Sequence, residues 1–281
     1  MNKKFSIITV NYNDRLGLKK TIESVVSQTW QHFEFIVIDG ASTDGSAALL
    51  EEFNDKIDIG ISEPDNGVFQ AMNKGILAAK GDYLLFMNSG DCFFKNDTLK
   101  LATQLIDGTH GIYYGDLIYY NKKKKKFDNW VFPKTLTLGF FIEHSLPHQG
   151  SFIKKSLFDS ISLYNENLKI ASDWEFFIIA ICVERVPYKH INMVISEYDF
   201  TGISSNPDNY ELVYAEKQQT FIKYFSMMID DYKSIKELDS QRIQNILYIK
   251  RFRIPWKLLK GFSNLLLLFI PRQNLKKGFN N

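Results

Sequence analysis

The 281 residues predict an α/β fold, with a mostly parallel central sheet flanked by helices and a helical C-terminal tail. Three observations carry that expectation. Apolar runs of strand length alternate with segments of helical period over the first third of the chain. Polar residues close each of those runs. After Asp239 no acidic residue remains, and the pattern there is helical. Strand–helix alternation requires parallel strands joined by right-handed crossovers, which puts helices on both faces of the sheet. In such sheets the ligand sits at the carboxyl ends of the strands.

Residues 5–10, Phe-Ser-Ile-Ile-Thr-Val, form a first strand through their β-branched content. Leu18, Ile22, Val25 and Val26 then recur at the period of an amphipathic helix. Phe33–Asp39 reads as a second buried strand, and a turn over 40–45 leads into a short helix at 46–53. A strand at 57–62, a helix at 68–79 ended by Gly81 and a strand at 83–87 complete the repeating part. The second half is less regular. Residues 112–121 and 127–132 form a hairpin around five consecutive lysines, Lys122, Lys123, Lys124, Lys125 and Lys126. Five such charges cannot be buried, so they mark a solvated tip. A helix is expected at 173–184, a strand at 190–195 and helical structure over 210–248. The chain therefore divides into a sheet-based domain at 1–208 and a helical, basic region at 209–281.

Apolar residues at 45% and charged residues at 23% exclude a disordered chain, a collagen-like repeat and a polytopic membrane protein. A chain of this length buries enough surface to fold without a disulfide or metal staple. Cys92 and Cys182 are too few for a disulfide framework, so a reducing compartment is expected. Met1-Asn2-Lys3-Lys4 runs straight into the first strand, without the apolar core or cleavage site of a signal peptide. The expected location is cytoplasmic.

The net charge of +2 conceals an asymmetry: nine basic residues follow Asp239, and residues 1–239 carry a net −7. A purely basic end implies an anionic partner, either nucleic acid or a membrane surface. Leu258, Phe262, Leu265, Leu266 and Phe269 share one helix face within 251–270. Trp256 flanks that face, and Lys257, Lys260, Arg272, Lys276 and Lys277 surround it. The longest apolar run there is six residues, against about 20 for a spanning helix. This describes a helix lying in the interface of an anionic membrane, or alternatively one packed back on the body. No nucleic-acid motif accompanies the basic run, so no nucleic-acid partner is expected.

Polar residues collect at the expected carboxyl edge of the sheet: Thr9 and Asn11, Asp39, Glu63 and Asp65, Asn88 and Asp91. One such strand end is ordinary turn chemistry, whereas four in succession point to a polar-ligand cleft. The cleft is not a dinucleotide site, because the segment after the first strand lacks the paired glycines that approach a pyrophosphate. A phosphate-binding Gly-x-x-x-x-Gly-Lys-Ser/Thr run is also absent from the sequence.

Several segments instead resemble, in order, the opening of family-2 glycosyltransferases. They are SIITVNYN (6–13), SQTW (27–30), VIDGASTDG (37–45), EPDNG (63–67), AMNKG (71–75) and GDYLLFMNSGD (81–91). The resemblance extends over roughly residues 5–205. It implies the nucleotide-sugar-binding α/β fold called GT-A, inverting transfer and a UDP-sugar donor.

Sugar transfer breaks the bond between an anomeric carbon and a diphosphate leaving group, and a divalent ion stabilises the charge that develops there. Mn2+ or Mg2+ takes hard oxygen ligands and needs only one or two carboxylates. Where the family carries an Asp-x-Asp-type motif, this chain reads Asn88-Ser89-Gly90-Asp91. Asp91 is left as the metal ligand, with Asn88 a neutral ligand or a hydrogen-bonding partner of the donor, unless the segment is an ordinary strand-to-turn sequence. By position Asp39 resembles the aspartate that accepts the uracil N–H, or else it caps its turn through Ser42. Thr9, Asn11 and Asp65 are expected at the base or ribose. Asn73 and Lys74 are expected near the diphosphate, unless Lys74 is a solvated surface charge.

Inverting transfer also needs a base to take the acceptor's proton. Ala171-Ser172-Asp173-Trp174-Glu175 resembles the acidic acceptor-side motif of the family. Ser172-x-x-Glu175 fits a capping box, which occupies Glu175 and leaves Asp173 as the base. A helix N-terminal charge is the alternative for Asp173. Pro147-His148-Gln149-Gly150 resembles a His-Gln segment of bacterial members, which places His148 and Gln149 near the acceptor or the leaving diphosphate. A core histidine is the other reading. Residues 201–205 resemble a lid over the donor.

The function expected from sequence is metal-assisted, inverting transfer of a sugar from a UDP-linked donor to a lipid-linked saccharide. It would take place at the inner face of a bacterial membrane, in surface polysaccharide synthesis. The thinned motif at Asn88–Asp91 leaves a second reading, a non-catalytic nucleotide-sugar-binding or scaffold subunit of an assembly complex.

Overall fold

The computed structural model describes residues 5–121, 124–199 and 202–269, with the backbone alone for 229–239. Lys122, Lys123, Thr201, Ile270, Arg272, Lys276 and Lys277 lie outside the described residues. The expected alternation is present. Strand β1 (Phe5–Asn11) leads to α1 (Arg15–Val26), β2 (Phe33–Asp39), α2 (Ser46–Glu52), β3 (Ile59–Ser62), α3 (Val68–Ala78) and β4 (Tyr83–Phe86). Every residue of β1, β2 and β4 is buried, as expected of strands covered on both faces. β3 alternates half-buried with exposed, because it forms one edge of the sheet. α1 starts on Asp14, whose carboxylate accepts from Gly17 N, and it buries Leu18, Ile22 and Val25 against the sheet.

The rest of the sheet is mixed rather than parallel. β5 (Cys92–Phe93), α4 (Thr98–Leu105), β6 (Ile112–Asn121), β7 (Lys126–Trp130), α5 (Leu138–Glu143), β8 (Ser151–Lys154), α6 (Ser156–Ser160), α7 (Ser172–Ile178) and β9 (Tyr188–Tyr198) follow. The strand order is β3-β2-β1-β4-β8-β6-β9-β5, with β7 pairing β6 at the side. β3, β2, β1 and β4 are mutually parallel, β8 runs antiparallel to both β4 and β6, and β9 is parallel to β6. The β6–β7 hairpin forms as expected, and Lys124 pairs with Asp128 at 2.8 Å near its exposed tip. The helix expected at 173–184 ends early and continues as a π-helical turn, Ile179–Val183.

Helix α8 (Tyr210–Asp239) leaves helical geometry at Phe225, and the chain divides there into units 1–224 and 225–281. The division therefore falls later than residue 208. The first turns of α8 bond into the sheet unit: Thr220 Oγ1 donates to Glu175 at 2.9 Å and the Phe221 ring meets Trp174 edge-on. The second unit holds the remainder of α8, α9 (Gln241–Ile249) and α10 (Arg253–Leu267). No helix among the described residues is long and apolar enough to cross a membrane.

Candidate active site

β1 lies between β2 and β4, so the strand order reverses beside it, and a cleft forms at the carboxyl ends on either side of such a point. Strand register places Asn11, Asp39 and Ser62 in one row across three strands there. Asp39 accepts from Asn11 Nδ2 (2.7 Å), Ser42 Oγ (2.6 Å), Ser42 N (2.9 Å) and Ser62 Oγ (2.7 Å). Burial pushes its carboxyl up, but these hydrogen bonds outweigh burial and hold it below the ordinary carboxylate range.

Asp39 is fully buried, and both its oxygens are committed to protein donors. This is the arrangement of a turn cap. Thr9 and Asn11 are likewise turned inward. Thr9 Oγ1 donates to Met87 O at 2.7 Å, and Asn11 Oδ1 accepts from Ser89 Oγ at 2.7 Å. All three assemble the floor of the cleft. Sequence cannot show this, because it does not reveal which way a strand-end side chain turns.

Tyr12 and Asp65 are what this floor presents. The Tyr12 ring is 68% exposed. A Cβ at Gly40 would lie 2.6 Å from Asp65 Oδ2 and 3.1 Å from the Tyr12 ring, so only glycine admits both groups over the end of β2. Asp65 Oδ1 accepts from Gly67 N at 2.9 Å, which aims the carboxylate. Asn73 and Lys74, expected near the diphosphate, both bond to the frame. Asn73 is buried and binds Tyr164 O, Tyr164 N and Glu166, tying α3 to the loop before α7. Lys74 pairs with Glu63 at 2.8 Å and donates to Pro64 O.

The turn after β4 is clamped from α1. Thr21 Oγ1 donates to Asp91 O at 2.8 Å and accepts from Gly90 N at 3.0 Å, a contribution that sequence reasoning missed. Gly90 has φ +94, and a Cβ there would lie 2.7 Å from Asp199 Oδ2, so the turn requires glycine. Asp91 is buried and accepts from Asp199 N at 2.9 Å. Burial first, and the charge of Asp199, push its carboxyl up to about 7 against the opposing pull of that hydrogen bond, His148 and Lys20.

Asn88 Oδ1 is buried without a hydrogen-bond partner. A desolvated carboxylate and an orphaned amide oxygen in one turn are hard donors of the kind Mn2+ or Mg2+ accepts when phosphate oxygens complete the shell. No group of three or more His, Cys, Asp or Glu side chains that could hold a metal occurs among the described residues. The residues present thus fit an ion shared with a substrate, not one caged by protein.

The acceptor-side residues meet this turn through His148. Its Nδ1 lies 2.9 Å from Asp173 Oδ2 and its Nε2 lies 3.2 Å from Asn88 Nδ2. With the Asn88 amide donating, the imidazole carries its proton on Nδ1 and gives it to Asp173. Burial disfavours the imidazolium, but the bond to Asp173, that carboxylate's charge and Asp91 outweigh it, so the His148 pKa is raised. Gln149 is buried beside it, and its carbonyl accepts from Ser196 Oγ. Asp173 Oδ1 accepts from Trp174 N at 2.8 Å.

The capping box does not form: the helix starts after Ala171, with no side-chain cap. Glu175 bonds Asn165 and Thr220 instead. The buried Glu216 carboxylate takes over this end of the site by accepting from Lys169 N, Ile170 N and Ala171 N at 2.6, 3.1 and 2.9 Å. This contact spans some 45 residues of sequence and leaves no local signal. Of the expected lid, the described residues 202–205 include Ser204 and Ser205, which bond Tyr198 Oη and line the cavity over Asp173.

Residues 6–158 match the sequence profile described as Glycosyl transferase family 2. An uncharacterized glycosyltransferase of Mycobacterium tuberculosis H37Rv, Rv1514c, is 35% identical over 206 residues, covering 72% of this chain and 77% of that one. A PGL/p-HBAD biosynthesis glycosyltransferase of Mycobacterium bovis BCG is 28% identical over 208 residues, covering 72% and 79%. Among solved structures, S. aureus TarS 1-349 in complex with UDP-GlcNAc superposes with a TM-score of 0.60 at 20% identity. That match covers 74% of this chain and 64% of the TarS chain, and it shows the shared fold.

Proposed function

The chain belongs to glycosyl transferase family 2 and is a glycosyltransferase, and on that premise we propose that it moves a sugar from a UDP-linked donor to a lipid-linked saccharide with inversion. One observation carries this reading: the His148–Asp173 pair reaches the Asn88–Asp91 turn, so a base and a leaving-group site share one cleft. The non-catalytic alternative has no use for such a pair.

The nucleobase stacks on the exposed Tyr12 ring, and its N–H donates to Asp65 Oδ2, in the place first expected for Asp39. Asp91 and Asn88 Oδ1 would hold a divalent cation, which supplies positive charge to the diphosphate. The acceptor hydroxyl donates to Asp173 and loses its proton to that carboxylate as its oxygen bonds to the anomeric carbon. The bond from that carbon to the diphosphate breaks, and the nucleoside diphosphate leaves. His148 keeps the carboxylate aimed through its Nδ1–H. Gln149 lies on the acceptor side of the same cleft.

An Asp65→Asn substitution replaces a charged acceptor by a neutral one. We expect the Kd for UDP to rise about 10- to 100-fold, measured by calorimetry. Unchanged affinity would remove Asp65 from the base site.

The lipid-linked acceptor, the work in surface polysaccharide synthesis and the place at the inner membrane face rest on α10. Ile254, Leu258, Phe262, Leu265 and Leu266 are all exposed, and Lys260 sits 5.9 Å from the Trp256 ring. An apolar face edged by cations suits the interface of an anionic membrane. Vesicles containing phosphatidylglycerol should sediment with the protein and lose it when Leu258 and Phe262 are both changed to Asp. Equal sedimentation of wild type and variant would leave α10 without that role.

A further inference from the structure

A cavity of about 330 Å³ opens over Asp173 and His148. If Asp173 is the base, as proposed above, the acceptor hydroxyl must come within hydrogen-bond reach of it. The acceptor therefore occupies this cavity, and the walls describe its chemistry. At this volume, near the lower end of small-molecule sites, the cavity holds the terminal unit of an acceptor.

One wall is aromatic. Trp130, at the end of β7, stacks on Phe132 with centroids 5.6 Å apart and planes at 20°, and Tyr198 meets it edge-on at 6.1 Å. Trp130 is 38% exposed. A flat indole presented to a cleft suits the C–H face of a pyranose ring, which is apolar where its hydroxyls are equatorial.

The lining also carries a charge. Lys217, on α8, lines the cavity with its Nζ 4.9 Å from the Trp174 ring centroid. Burial lowers its pKa and the charge of Asp173 opposes that, but no ion pair of Lys217 is recorded among the described residues. Asp173 attracts this half-buried ammonium without forming an ion pair with it among the described residues, which leaves the charge in reach of an anionic ligand.

We propose that the acceptor is an acidic saccharide, with a sugar ring on Trp130 and an anionic group on Lys217. The anion can be the carboxylate of a uronic acid or the phosphate of a phosphorylated sugar, since both offer the oxygens an ammonium binds. The charge serves binding, and the proton and the sugar bond are handled as described above.

Ligand-observed NMR titration of the full chain with octyl β-glucoside, octyl β-glucuronide and glucose 1-phosphate tests this. At least one acidic probe should bind about tenfold more tightly than the glucoside. Lys217→Ala should erase that preference and Lys217→Arg should keep it, while Trp130→Ala weakens all three probes. A preference for the glucuronide identifies a uronate, and a preference for glucose 1-phosphate identifies a phosphate. Equal binding of neutral and acidic probes, absence of binding by all three, or a preference that survives Lys217→Ala overturns the proposal. UDP titration of the same samples reads the donor site separately, so loss of UDP binding would sink the donor reading and leave the acid preference to be judged by itself.

Discussion

Asp173→Asn is expected to lower kcat by about 10²- to 10⁴-fold, the range attributed to a positioned general base. The substitution is nearly isosteric. Its amide oxygen can still accept from Trp174 N or from the Nδ1–H of His148, the two partners Asp173 has now. The helix start, held by Glu216, is untouched. What disappears is the capacity to take a proton. Affinity for UDP should stay within about twofold, because the proposed donor edge lies at Tyr12, Asp65 and the turn after β4. Near-normal turnover would place the base elsewhere. Loss of UDP affinity together with turnover would make Asp173 a structural residue.

Asp91→Ala should act on the other half of the site. A buried carboxylate with its pKa pushed up to about 7 is held in an unfavourable state, and a bound cation would relieve it. In the presence of Mn2+ the variant should lose about 10²- to 10³-fold in kcat/KM, comparable to removing one preorganised electrostatic contact to the leaving group. Without Mn2+, wild type and variant should bind UDP equally weakly. A wild type indifferent to Mn2+ would show that the turn after β4 works through Asn88 and backbone groups alone.

The parts of this architecture that follow from local sequence were legible. The β-branched run of β1, the period of α1 and the turn at Gly45 each require only neighbouring residues, and all are present as expected. The site itself was legible as a place, because polar strand ends collect at one edge of a parallel sheet. The role of each residue there was less legible. Asn11 and Asp39 are both polar and both terminal, but the strand register that pairs them, and so turns each toward the other, is not written in either segment.

The capping box failed for a related reason. Ser172-x-x-Glu175 is a sound local pattern, but Glu216 supplies the acceptor from α8 and frees Glu175 to hold Asn165 and Thr220. The boundary expected at 208 lies just ahead of α8, whose first turns the same contacts bind to the sheet unit. One local signal bears on the proposed base site. Glycine at 40, beside a buried aspartate and ahead of an acidic loop, marks a place where another side chain needs the room, here Asp65.

In the proposed reaction a single displacement moves the sugar: Asp173 takes the acceptor proton while the leaving diphosphate sits on the opposite face of the ring. The anomeric configuration of the first-formed product reports on this directly. Proton NMR of transfer, or of slow hydrolysis followed before mutarotation, from an α-linked UDP-sugar should show a β-anomer first, through its larger anomeric coupling. An α-anomer as the first product would require two displacements or attack from the leaving-group side, and would rule out the single displacement.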